Sequence, residues 1–260
     1  MLKIFCLRYF SDNISDINQF ICCCSKTISM SSAGCSNGDK FSNEFGYASP
    51  VKLYESAFAQ AKVSVCYVQA PPIPPNTITR QGTAALYELV DGVFTVATNN
   101  HVLPVTDAEF LVRSLFTFEG FGPIRLNKDD IKCCTTSKAL DATVIELIDA
   151  CVQRLQQLGA KFIRLTTARQ GDKIAMPQYI EGELSFDTGV IHEIKDNKLH
   201  YYSVGGAGSS GSPIVLWETE FRAIGMHKQS ETCIEHGAFK PICRGTSPFE
   251  IAQFHLTAFR

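Results

Sequence analysis

The chain is poor in charge, and what charge it has nearly cancels. Of 260 residues, 24 are Lys or Arg and 26 are Asp or Glu, a formal net charge of −2. A balance of this kind offers no basic surface for nucleic acid and no polybasic patch for an anionic membrane, so neither partner is expected. No apolar run approaches the roughly 20 residues of a membrane span. Residues 1–10 lack a basic segment followed by an apolar core and a small-residue cleavage point, so no signal peptide is expected. Cysteine is not scarce, with eleven, but the number is odd, several are adjacent and no CxxC spacing occurs. Neither a regular disulfide framework nor a zinc site is therefore predicted, and free thiols in a reducing, cytoplasmic compartment are the expectation. Cys233 and Cys243, ten apart in a loop-rich stretch, remain a candidate pair.

What is present is globular: 45% hydrophobic residues against 19% charged. Residues 1–48 carry frequent Ser, Asn, Gly and Cys without sustained periodicity, and are predicted to be a mobile extension. Ser49-Pro50 suits a helix entrance, followed by Val51, Tyr54 and Phe58 at helical spacing. Strands are then predicted at 63–68, 83–90 and 93–98, with Asp91-Gly92 as a hairpin turn. Two more are predicted at 109–116 and 143–147. Residues 148–158 have the apolar spacing of a short helix stopped by Gly159, a connector between halves. Strands resume at 173–177, 182–194, 199–204, 213–217 and 221–227, and Ser247-Pro248-Phe249-Glu250 reads as the capped start of a last helix. Many short strands on both sides of a connector predict an all-β protein of two antiparallel barrels. The first spans about 60–147, the connector about 148–160, the second barrel about 161–246 and the final helix about 248–258, all within a domain covering 49–260.

One loop concentrates small residues: Gly205, Gly206, Ala207 and Gly208 precede Ser209-Ser210, and Gly211-Ser212-Pro213 lead into the apolar run Ile214-Val215-Leu216. Glycines let a backbone turn sharply and present its N–H groups. A hydroxyl nucleophile needs that geometry, because acyl transfer builds an oxyanion beside it. Ser210 is a candidate nucleophile on this reading; a Gly/Ser-rich turn between strands is the other. A serine also needs a base, and the base needs a third group to hold it. His101 lies where the apolar strand 93–97 emerges into a loop, and Asp141 opens the buried run 142–147, where a carboxylate is seldom left unpaired. Asp107 is an alternative orienting group near His101.

The order His, Asp, Ser, in the contexts Thr98-Asn99-Asn100-His101-Val102-Leu103, Leu140-Asp141-Ala142-Thr143 and Gly208-Ser209-Ser210-Gly211-Ser212-Pro213, resembles the trypsin-like serine proteases of the chymotrypsin fold. The HtrA-type and glutamyl-endopeptidase branches are nearest. The resemblance runs from about Lys52 to Phe259, with Gly82-Thr83-Ala84 similar to the strand leading to the histidine and Ser185–Ile191 to an early strand of the second barrel. It implies two six-stranded barrels and an endopeptidase without metal or cofactor, acting on a protein or peptide. By that resemblance Ser210 attacks the scissile carbonyl, His101 moves the proton and Asp141 orients the imidazole. The N–H groups of Gly208 and Ser210 form the oxyanion hole, with Ser209 shaping the loop between them. Ser209 stands where digestive members carry Asp, so a salt-bridge zymogen switch is not expected.

The segment Ala223–Lys228 resembles the family's pocket strand, and His227 matches a histidine that reads an acidic or amide P1 side chain in glutamyl endopeptidases and picornaviral proteases. Lys228 is expected on the opposite face if the strand alternates. Val204 and Ala207 would make the pocket base and rim small and apolar, which keeps a medium hydrophobic P1 open. No appended peptide-binding domain is evident, so the trimeric assembly of many HtrA-type enzymes is not carried over; a monomer is the expectation. A relative that binds peptides in the cleft with little turnover is the alternative function.

Overall fold

The computed structural model describes residues 7–9 and 50–257, apart from 74, 76, 106, 197, 204, 218–220, 236 and 237. Pro50 opens helix α1 (Pro50–Ser64). Beyond it an N-terminal sheet is built from β2 (Val65–Ala70), β3 (Arg80–Glu88), β4 (Phe94–Thr98), β5 (Leu115–Phe118), β6 (Gly122–Ile124), β7 (Ile131–Ser137) and β8 (Ala142–Leu147). A short strand β1 (Leu7–Tyr9) lies parallel to β7, opposite Cys134–Thr136. Those three residues belong to the predicted extension; the rest of 1–48 lies outside the described residues, as does the helix-capping reading of Ser49.

The hydrogen-bonded order is β1-β7-β8-β4-β3-β2-β5-β6, so the expected six-stranded first barrel is, among the described residues, an open sheet. Side chains from opposite ends of this order, Phe116 and Phe118 on β5 and Cys134 and Ile145 on β7 and β8, still enter one core with Val68, Leu86 and Val96. The sheet curls around that core without closing its ladder. Two features keep it open. β6 is three residues long and contains Pro123, which has no N–H to donate, and the free edge of β7 is occupied by β1. Each fully buried large side chain here contributes roughly 1.5–3 kcal/mol, ample to hold the curl.

Two local predictions need correction. The strand expected at 109–116 is helix α2 (Ala108–Arg113) followed by β5, because Asp107 caps the helix by accepting from the Phe110 N–H at 2.8 Å. Asp107 thus serves as a helix cap, and the Nδ1 of His101 faces Asp141 instead. The Asp91-Gly92 hairpin does join β3 to β4, but through a wider turn closed by Leu89 N–H on the Val93 carbonyl. Gly92 supplies its positive φ of 71°.

The connector is helix α3 (Asp149–Gln157), ended by Gly159 at φ +94°. The chain then returns to β3 through the parallel strand β9 (Ile163–Arg164). The second half is a closed barrel, β10-β11-β12-β15-β14-β13. Its strands are β10 (Lys173–Ile180), β11 (Glu183–Lys195), β12 (Lys198–Tyr202), β13 (Pro213–Leu216), β14 (Ala223–Glu235) and β15 (Ala238–Thr246). β15 escapes sequence reading because Pro241 and Gly245 both argue against a strand, yet it closes the barrel between β12 and β14. Cys243 on β15 faces Ser230 and is a free thiol, while Cys233 lies opposite Lys240, so the candidate disulfide is not formed. Helix α4 (Pro248–Thr257) ends the described chain.

A further core is shared by both halves, with Ala61, Val65, Tyr87, Ala97 and Val144 meeting Ala175, Tyr179, Val215, Met226 and Ile251. This packing brings the end of β4 against the loop before β13.

Candidate active site

His101 lies on the turn that leaves β4. Val102 and Leu103 both donate their N–H to the Asn99 carbonyl, at 3.2 and 3.0 Å. Thr143 holds the turn from β8 by donating to the Leu103 carbonyl at 2.8 Å. Asp141 ends the β7–β8 turn with a left-handed φ of 53°. Asp tolerates that conformation better than most residues, at a cost of about 1 kcal/mol. The twist aims the carboxylate at His101, with Oδ2 2.7 Å from Nδ1 and Oδ1 accepting the His101 backbone N–H at 2.9 Å. Asn99 secures the turn from behind, donating Nδ2–H to the Asp141 carbonyl at 2.9 Å. The carboxylate is thus mostly enclosed, at 13% side-chain exposure, while the imidazole is half open at 50%.

The serine loop is fixed from two sides. Thr83 on β3 donates its N–H to the Ser210 carbonyl at 2.9 Å. Its hydroxyl donates to the Gly208 carbonyl at 2.8 Å and accepts from the Tyr179 N–H at 2.9 Å. On the other side Gly211 N–H donates to the His227 carbonyl, and His227 N–H to Ser212. The fit requires glycine at two positions. A Cβ at Gly211 would lie 2.0 Å from the Thr83 carbonyl oxygen, and one at Gly208 would lie 2.3 Å from that of Tyr179, both at positive φ. Gly82 marks where the two halves of the site meet, since its Cβ would lie 2.6 Å from Val102 and 3.1 Å from the Ser210 carbonyl oxygen.

Ser210 is half-buried and forms no hydrogen bond to His101. Ser209 N–H is used internally, donating to the Gly206 carbonyl at 3.0 Å, and Ser209 is buried. The N–H groups of Gly208 and Ser210 have no acceptor among the described residues. Ala207 is exposed on the turn that Ser209 closes, and Val204 lies outside the described residues.

His227 is buried at 1% exposure, on β14 beside the loop. Its Nδ1 meets the Tyr201 hydroxyl at 2.5 Å, and its Nε2 would be 3.3 Å from a Cβ at Gly205. The same missing Cβ would touch Ser230 Oγ at 2.9 Å and Ser209 Oγ at 3.2 Å. Gly205 therefore packs its backbone directly against three polar side chains, with no room between them for a Cβ. Ser230 reaches it because a β-bulge between His227 and Gln229 inserts one residue and returns Ser230 to the face of His227. Strict alternation puts Ser230 on the other face, so the sequence alone hides it. Tyr201 and Thr83 are hidden equally, each being an ordinary strand residue until the barrel and the domain junction are assembled.

Burial pushes the His227 imidazole down to about 4, with the nearby His101 adding to the effect. An unfolded histidine takes its proton near 6.5, so the unfolded chain is protonated first as the pH falls. The contribution of His227 to stability is full above that value and declines until about 4. Between pH 7 and 5 the protein is expected to lose roughly 2 kcal/mol more than a His227→Gln variant. Urea unfolding at the two pH values measures the difference, and equal losses would show that the folded histidine is not kept neutral.

No family model matches the chain, and no curated protein matches its sequence. Among solved structures it is similar to the active form of the Rv3671c protease from M. tuberculosis, at 13% identity and a TM-score of 0.56, covering 84% of this chain and 92% of that one. An inactive form of Rv3671c with a serine-to-alanine substitution matches at 12% identity and a TM-score of 0.56, covering 82% and 96%. The shared architecture is the chymotrypsin-like fold, carried here by one closed barrel and one open, curled sheet.

Proposed function

We propose that the chain is a serine endopeptidase in which Ser210 is the nucleophile, His101 the general base and acid, and Asp141 the orienting carboxylate. One observation carries the reading: the left-handed Asp141 grips both the backbone N–H and the ring Nδ1 of His101. Holding Nδ1–H against Oδ2 leaves Nε2 unprotonated and able to take the Ser210 proton. The Ser210 oxygen then attacks the scissile carbonyl, and the oxyanion is stabilised by the N–H groups of Gly208 and Ser210, each worth about 3–4 kcal/mol in comparable sites. His101 gives its proton to the leaving amine, and water repeats the sequence on the acyl-enzyme. The similarity in fold to the Rv3671c protease supports the same class of reaction.

Tyr201, Ser230 and Gly205 extend the pocket reading of His227. With Tyr201 donating to Nδ1, the His227 Nε2–H is turned toward Gly205 and suits an oxygen acceptor on a P1 Gln or Glu once the serine loop shifts to admit one. The alternative, a cleft that binds peptides without turnover, draws on the lack of a hydrogen bond between Ser210 and His101. Such contacts often tighten only with substrate bound. A fluorophosphonate probe separates the two readings. It is expected to label the folded protein on Ser210, with labelling lost in Ser210→Ala and strongly slowed in His101→Ala. A folded protein that resists labelling would overturn the endopeptidase reading and leave the binding one.

A further inference from the structure

Away from the cleft, β7, β8 and α4 bring Cys133, Glu146 and His255 together. Cys133 and Glu146 are direct cross-strand partners, and all three residues are buried, with His255 at 0% exposure. Their donor atoms converge: Cys133 Sγ is 3.1 Å from Glu146 Oε2, His255 Nε2 is 3.1 Å from the same oxygen, and Sγ and Nε2 are 3.9 Å apart. A tetrahedral zinc ion, with Zn–S near 2.3 Å and Zn–N and Zn–O near 2.0–2.2 Å, holds such donors about 3.3–3.6 Å apart. The three spacings bracket that range, so small side-chain shifts accommodate an ion.

The surrounding residues orient each donor. Thr135 Oγ1 is 2.5 Å from His255 Nδ1, which occupies that nitrogen and directs Nε2 to the other two donors. Lys132 Nζ is 2.6 Å from Glu146 Oε1, the carboxylate oxygen turned away from them. A histidine whose second nitrogen is held by a hydrogen bond, and a carboxylate whose second oxygen is held likewise, is how metal ligands are usually supported. The donor set of one thiolate, one imidazole and one carboxylate suits zinc and is a poor match for calcium or magnesium, which take oxygen ligands.

We infer that Cys133, Glu146 and His255 form a binding site for one Zn2+ ion that fastens α4, at the end of the second half, to the N-terminal sheet. Water from the Cys133 side completes the fourth position. On binding, Sγ forms its bond to the ion and releases its proton to solvent, with no redox change. The ligands stand 13 and 109 residues apart, far from any compact metal motif, which is why the cysteine spacing reveals nothing.

Cobalt(II) is the probe for this site. Added to the purified full chain, it is expected to bind at about one equivalent and give a thiolate charge-transfer band with the visible bands of a four-coordinate ion. The charge-transfer band is expected to vanish in Cys133→Ser and to survive in Cys134→Ser. Zn2+ is expected to displace the cobalt and to raise the unfolding midpoint of the wild-type chain, and His255→Gln is expected to lose most of that rise. Absence of a charge-transfer band from the folded wild-type chain overturns the proposal without recourse to any variant. A band that persists in Cys133→Ser overturns it too, because the ion then sits on another thiol.

Discussion

Asp141→Asn is expected to lower kcat/KM for a good peptide substrate by about 10⁴-fold near neutral pH while leaving the fold intact. The fold survives because Asn is also tolerant of the left-handed backbone that Asp141 adopts at φ 53°, and the side chains have the same shape. The chemistry does not survive, because the two carboxylate oxygens are both acceptors. Oδ1 takes the His101 backbone N–H at 2.9 Å and Oδ2 faces Nδ1 at 2.7 Å. An amide has only one oxygen to offer. The backbone N–H cannot change its role, so it keeps the oxygen, and the amide NH2 is left facing Nδ1. The ring avoids a donor–donor clash by moving its proton to Nε2, and a protonated Nε2 cannot accept from Ser210. Kinetics on one P1-matched substrate, with circular dichroism to confirm folding, test this. Activity within tenfold of wild type would mean that Asp141 does not set the tautomer of His101.

His101, Asp141 and Ser210 can be proposed from sequence because each has a local setting written in neighbouring residues. Ser210 needs glycines, since Gly208 and Gly211 have no room for a Cβ. His101 and Asp141 need the ends of apolar strands, and β4 and β8 are legible as β-branched runs. The residues around His227 have no such local signature. Ser230 arrives through a one-residue bulge, Tyr201 through barrel closure, and Gly205 matters only for the atoms a side chain would displace. The open first sheet was equally illegible, because strand count does not reveal that Pro123 shortens β6 or that Leu7–Tyr9 occupies the edge of β7. Asp107 shows the reverse error: an acidic residue near a catalytic-looking histidine is a helix cap, and its two-turn helix displaces a predicted strand.

The preference at P1 carries the other large expected effect. A substrate with Gln at P1 is expected to be cleaved with kcat/KM of the order of 10⁴-fold above the same peptide with Met, a side chain of similar length. The reason lies in what Met leaves behind. His227 is buried, its Nδ1 meets the Tyr201 hydroxyl, and on the proposed reading its Nε2–H is left for the P1 side chain. A thioether placed against that N–H strips water from it and returns no acceptor, whereas an amide oxygen restores the bond. Gln is also expected to outperform Glu near neutral pH. His227 is held neutral by burial, down to about 4, so a P1 carboxylate would give up its hydration to meet a neutral donor. Acidifying the assay protonates the partners and should narrow that gap. Two variants locate the effect. His227→Ala is expected to reduce the Gln-to-Met ratio at least 100-fold, mostly through loss of Gln cleavage. Tyr201→Phe frees the tautomer without emptying the pocket, and is expected to reduce the ratio about tenfold. A P1-varied peptide panel reads all of these together. If the ratio is the same in wild type and His227→Ala, the histidine plays no part in specificity, and the small apolar residues before the nucleophile must set it instead.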